Sequence, residues 1–234
     1  MDSTPRGLPK KLIVGCLTAV GVCLAALGGL LAHVPAFYAE RAVAARAADD
    51  AEAEQLSRRM MTKASSLYAS VGQPGRWETA FSDREANAWL AVDLPRNHGR
   101  LLPRGVADPH IRFGQKRISV GARVGPAILS AVAWIDLDVE LRDINQLGIV
   151  LSDARLGAIP LPRGPILREL ARRVESLGMV VDFRRLDGRL VLVVYIPSTY
   201  DAGAMSYWLE SLVIGDGELL AAGETRRAAG TAGR

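Results

Sequence analysis

Leu129–Arg142, LSAVAWIDLDVELR, alternates apolar and polar positions over an unusual length. Leu129, Ala131, Ala133, Ile135, Leu137, Val139 and Leu141 fall on one side. Ser130, Asp136, Asp138, Glu140 and Arg142 fall on the other, with Val132 and Trp134 among them. Successive strand side chains point to opposite faces, so this period of 2 predicts a strand with one face on a core and one in water. Strands average about five or six residues, so one of this length is expected to curve. Asp136, Asp138 and Glu140 project together, as a general acid or a metal site would require. As alternate residues of a half-buried antiparallel strand, they read first as its solvated face.

The chain on either side continues the sheet. His110–Gln115 and Arg117–Val124 read as strands before the long one, and Gln146–Arg155 as a strand after it. The run 157–162, GAIPLP, breaks the pattern, and a helix is expected from about Pro165, a residue suited to a first helical position. Ile166, Leu167, Leu170, Val174 and Leu177 line one face of that helix, and Gly178 ends it. Met179–Leu186 and Arg189–Ile196 then make a hairpin around Asp187-Gly188. Its second strand, LVLVVYI, is apolar on both faces, so both should be covered. Leu212–Ile214 and Glu218–Leu220 read as a last hairpin, residues 200–209 show no clear period, and 223–234 read as a disordered tail.

Upstream, Phe37 to Val71 contains no glycine or proline and predicts one helix, closed by Gly72-Gln73-Pro74-Gly75. Its first half, AERAVAARAADDAEAEQ, carries charge on nearly every side and reads as a solvated stalk. Leu56, Met60, Ala64, Leu67 and Val71 then share a face that should dock on the domain. Ser82-Asp83-Arg84-Glu85 is a capping box opening a short helix to about Val92. Residues 93–105 read as a loop.

Leu12–Leu31, LIVGCLTAVGVCLAALGGLL, runs twenty residues without a charge. At about 1.5 Å per residue it would span about 30 Å, the hydrocarbon thickness of a bilayer. Arg6, Lys10 and Lys11 precede it, so the positive-inside rule places the N-terminus in the cytoplasm and the rest outside. An uncleaved signal-anchor at the inner membrane is the expectation, with cleavage at Val34-Pro35-Ala36 as the rival. Gly21, Ala25 and Gly29 recur every four residues and offer a face on which two anchors can pack into a homodimer. The expected organisation is a basic cytoplasmic tail over 1–11, a transmembrane segment over 12–36 and a stalk over 37–72. An extracytoplasmic α+β domain over 75–222 and the tail complete it. The fold class is thus α+β, with a long-stranded, curved, mainly antiparallel sheet packed on one or two helices.

Composition removes several functional classes. The net charge of +4 is half accounted for by the segment 1–36, and no basic block is interleaved with aromatics, which argues against nucleic acid as a partner. Cys16 and Cys23, the only cysteines, both lie in the apolar run, so disulfides and thiolate chemistry have no place in the domain. His33, His98 and His110 have no ligand spacing with one another or with a carboxylate cluster, so neither a metal nor another cofactor is expected. No G-x-S-x-G, P-loop or H-E-x-x-H occurs, and an enzyme is not expected.

The order of parts carries a resemblance. An N-terminal span and helix lead to FSDREANAWL, then long alternating strands, then LGAIPLPRGPIL opening a helix, then a valine-rich hairpin. This order resembles the YpmS-like membrane-anchored bacterial proteins. More loosely, a long sheet wrapping a helix is similar to tubular lipid-binding (TULIP-like) domains. The resemblance covers about residues 75–197 and implies a shape and an apolar ligand, with no active site to transfer. A lipid-binding groove between sheet and helix would be lined by Ile135, Leu137, Val139, Leu170, Val174, Val191 and Val193. The alternative is an envelope scaffold with a filled core and a protein partner.

Overall fold

The structure is a computed structural model that describes residue 22 and residues 25–47, 49–126, 130–200 and 205–227. Most of the apolar run and the basic tail lie outside these residues, as does Gly21. Residues 25–31 are helical, and Ala25 and Gly29 are exposed on them. No helix among the described residues is long and apolar enough to cross a membrane.

The fold is α+β with antiparallel strand pairing throughout. Helices α1 (Ala36–Ala47) and α2 (Asp50–Val71) come first, followed by strand β1 (Gly75–Ser82) and helix α3 (Asp83–Asn97). Strands β2 (Val106–Gly114), β3 (Arg117–Val124), β4 (Ala131–Asp143), β5 (Gln146–Leu156) and the short β6 (Ile159–Pro160) follow. Helix α4 (Arg163–Ser176), the hairpin β7 (Val180–Leu186) and β8 (Arg189–Tyr195), and β9 (Thr199–Tyr200), β10 (Met205–Ile214) and β11 (Glu218–Arg227) complete the chain.

The strands make two sheets where the sequence predicts one. A seven-stranded sheet runs β2-β3-β4-β5-β8-β7, with β6 added on β5, and a four-stranded sheet runs β1-β11-β10-β9. The long strand is as long as its alternation requires, and it bends at irregularities between Asp136 and Leu137 and between Leu141 and Asp143. Bulges of this kind raise local twist and turn a strand out of plane.

Packing follows the predicted faces. Leu167 and Ala171 of α4 bury against Leu151, Ala154, Leu192 and Val194 on one side of the larger sheet. Further along the same face Phe113 and Val139 meet Ile214 of the smaller sheet and Ala86 of α3, and Leu137 and Ile149 join the two clusters. The smaller sheet and α4 thus share one face of the larger sheet. The capping box forms: Glu85 N–H donates to Ser82 Oγ (3.2 Å) and Ser82 N–H to Glu85 Oε2 (3.0 Å). Asp187 and Gly188 take φ of 51° and 76°, as the two-residue turn requires.

Three expectations change. The stretch 37–72 is two helices, broken before the extended Asp49 (φ −67°, ψ 141°). The first of them is docked, with Phe37 and Tyr38 buried against Val132 and beside Trp134. Two adjacent aromatics outweigh the charged residues that follow, and Gly121 makes room for both rings. A Cβ there would lie 2.9 Å from Tyr38 Cδ2. Second, α3 runs past Val92 to Asn97, then a 3-10 turn spans Gly99–Leu101. Third, residues 223–227 belong to β11, with Thr225 1% exposed and its Oγ1 donating to the Val71 carbonyl (3.0 Å). The rest of the expected tail lies outside the described residues.

Candidate ligand cavity

Residues 106–110, VADPH, set the geometry of the site. The β2–β3 register shifts between Ala107 and His110, and Asp108 sits at φ 48° directly before Pro109. A left-handed non-glycine residue costs about 1–2 kcal/mol, and here it re-aims the strand. The Asp108 carbonyl accepts from Tyr38 Oη (2.9 Å), and its carboxylate pairs with Arg123 (3.1 Å). The bulge leaves His110 6% exposed, with the Tyr38 ring edge-on at 4.9 Å.

His110 forms part of the wall of a cavity of about 430 Å³ between α1, α3 and β2. Ala42 and Ala45 come from α1, Leu90, Ala91 and Pro95 from α3, and Val106 and Pro109 from β2. The lining is thus mainly apolar, with Asp108 and Arg123 already paired to each other. His110 Nδ1 is buried and has no hydrogen-bond partner among the described residues. Burial, helped by Arg41 and Arg123 and opposed by Asp108, holds the imidazole below its usual range, so it is neutral near pH 7. A neutral imidazole offers one donor and one acceptor. A second cavity of about 350 Å³ lies beside the first, sharing Ala42 and Arg123 and reaching Leu31 and Val34 at the end of the apolar run.

A largely buried ion pair fastens α1 to the start of α3. Arg41 of α1 pairs with Asp83, whose N–H donates to the Gly217 carbonyl (2.8 Å) at the β10–β11 turn. Burial raises the Asp83 carboxyl, against the lowering pull of Arg41. Next to it, burial would also raise Glu85, but the Lys63 ammonium at 2.7 Å and the Ser82 amide bring it below the usual value.

Of the groove residues predicted from sequence, five lie on the α4 face of the larger sheet and two on its opposite face. Ile135, Leu137, Leu170 and Val174 pack in the filled core beneath α4. Val139 lies on the same sheet face, in the adjoining cluster with Ile214, joined to the first through Leu137 and Ile149. Val191 and Val193, each 1% exposed, alternate with Leu192 and Val194 and so face away from α4. Sequence reading passed over His110 as an incidental strand residue; the Asp-Pro interruption just before it was the available signal. Asp136 accepts from Ser119 Oγ (2.7 Å), Asp138 pairs with Arg117 (2.8 Å) and Glu140 with Arg142 (2.6 Å), so the acidic face is already paired. His98 lies 3.4 Å from Asp93, and His33 is exposed. Among the described residues no three His, Cys, Asp or Glu side chains gather as a metal site would need. The chain matches no family model, no curated protein and no solved structure.

Proposed function

We propose that this chain is a single-pass, membrane-anchored domain that binds a lipid or another apolar ligand at the outer face of the cytoplasmic membrane. The observation that carries the reading is the mainly apolar cavity of about 430 Å³ between α1, α3 and β2, with the buried His110 in its wall. Binding sites combine such linings with a few polar groups that fix orientation, at volumes of about 300–1,000 Å³. An acyl chain would fill the space between Ala42, Leu90 and Ala91. The neighbouring cavity at Leu31 and Val34 provides a route from the anchor's end. The resemblance to YpmS-like and TULIP-like proteins fits the same reading, with the ligand placed beneath α1 instead of α4.

The test uses the full chain in detergent micelles and a diazirine-bearing fatty acid as probe. Photolabelling should concentrate in peptides spanning residues 85–110. Ala91→Trp, at an exposed rim position, should abolish it while leaving the circular dichroism spectrum unchanged. Labelling confined to the apolar run, or indifferent to Ala91→Trp, would overturn the reading and favour a scaffold with a protein partner.

A further inference from the structure

The fold closes its sheet edges with unusual care, and one is left open. At the β2 edge, the Asn87 side chain acts as a surrogate strand: its Nδ2 donates to the Ile111 carbonyl (2.7 Å) and its Oδ1 accepts from Ile111 N–H (2.9 Å). At the β10 edge, Asn145 does the same, donating to the Tyr207 carbonyl (2.8 Å) and accepting from Leu209 N–H (2.6 Å). Ser198 and Lys116 satisfy Tyr207 N–H and the Ile214 carbonyl on that edge. Helices α2 and α3 pack against β1, and β9 has only two residues. Strand β7 ends the larger sheet, and among the described residues nothing pairs with its outer edge. An open edge is a template for another strand.

Geometry fixes which groups β7 presents. The two-residue turn makes Leu186 and Arg189 a hydrogen-bonded pair, and such pairs alternate along an antiparallel ladder. Arg184 and Asp182 therefore bond inward to β8, while Val181, Phe183 and Arg185 direct N–H and C=O outward. Their side chains stand on the α4 face, where Phe183 is 41% exposed beside Ala171 and Arg172. The sequence 180–186, VVDFRRL, is self-complementary about Phe183. In an antiparallel two-fold pairing, Phe183 meets Phe183 of the second copy and each Asp182 meets an Arg184.

We infer that the outer edge of β7 is a homodimer interface, pairing with the same edge of a second copy in the register centred on Phe183. The occupant is another molecule of this chain because Asp182 meets Arg184 twice and Phe183 meets its own copy under two-fold rotation, as an isologous contact requires. Arg184, already on its own Asp182 (3.0 Å), then bridges a second carboxylate. This interface is separate from any contact between anchors and does not involve the ligand cavity.

The test uses the full chain in detergent micelles with Cys16→Ser and Cys23→Ser. Cα atoms of a hydrogen-bonded pair sit about 5.5 Å apart, within disulfide range, so oxidised Phe183→Cys should link into covalent dimers. Leu177→Cys, more exposed at 73% but off the edge, should link poorly. Adding Asp182→Arg sets like charges opposite each other twice and should lower dimer formation about tenfold. Adding Arg184→Asp to that variant restores opposite signs and should restore linking. Equal linking of Phe183→Cys and Leu177→Cys would overturn the interface. Linking indifferent to Asp182→Arg, or not rescued by the double reversal, would overturn the register.

Discussion

His110 is an imidazole whose protonation the fold resists. Burial lowers its affinity for a proton below that of the unfolded chain, with Arg41 and Arg123 adding to the effect and Asp108 opposing it. As pH falls through the unfolded value of 6.5, the unfolded state takes up the proton first. Stability from this group is therefore complete above that value and lost progressively below it. Melting temperature should drop between about pH 7 and pH 5.5, and His110→Phe should flatten the curve over that window. Glu85 acts in a lower window, because its depressed carboxyl contributes above the unfolded value of 4.5 and loses that contribution on further acidification.

Helix α1 shows how one pair of side chains holds an element. Asp83 is 4% exposed at its side chain and Arg41 25%, so the pair is mostly shielded. Removing one partner from a buried pair leaves a charge without compensation, at about 3–5 kcal/mol in full burial, and less here because Arg41 keeps some water. Arg41→Met should thus cost about 2–3 kcal/mol in urea unfolding, and Asp83→Asn added to it should recover part of the loss. Asn145 ties the two sheets at their seam. Asn145→Ala should accelerate hydrogen exchange at Leu209, whose N–H it accepts at 2.6 Å, and cost about 1–3 kcal/mol for the groups left unpaired.

The elements with a clean period were legible in the sequence: the long alternating strand, Arg117–Val124, the α4 face and the Asp187-Gly188 hairpin. The second half of strand β11 was not, because small residues there are demanded by close packing. A Cβ on Gly223 would overlap the Trp77 ring and the Trp208 carbonyl, so residues 223–227, GETRR, look like a tail while starting between aromatics. Strand β1 was missed because the helix-breaking run before it and the capping box after it left few residues in which to see alternation. The cavity was invisible for a different reason. It depends on α1 folding back over β2, and a helix rich in alanine and charge carries no sign of which surface it will cover.

At the scale of the whole molecule, the end of the apolar run is fastened to the domain. Ala158 N–H donates to the Leu30 carbonyl (2.8 Å), and Trp134 Nε1 donates to the Gly157 carbonyl (3.2 Å). Gly157 has φ 60°, and a Cβ on it would lie 2.8 Å from the Leu31 carbonyl oxygen. The turn that follows β5 is therefore shaped to receive the backbone of residues 30–31, and only glycine fits there without strain. Hinged at the end of a stalk, the domain could adopt many distances from residue 34; held at this turn, it adopts one. Spin labels at Val34 and Leu177, both exposed, should report a single narrow distance distribution by pulsed electron resonance in the full chain. Gly157→Val adds left-handed strain of about 1–2 kcal/mol and a collision with the Leu31 carbonyl, and should broaden that distribution severalfold while the sheets stay folded. A broad distribution in the unmodified chain would mean that the junction at Gly157 does not hold residues 30–31 against the domain.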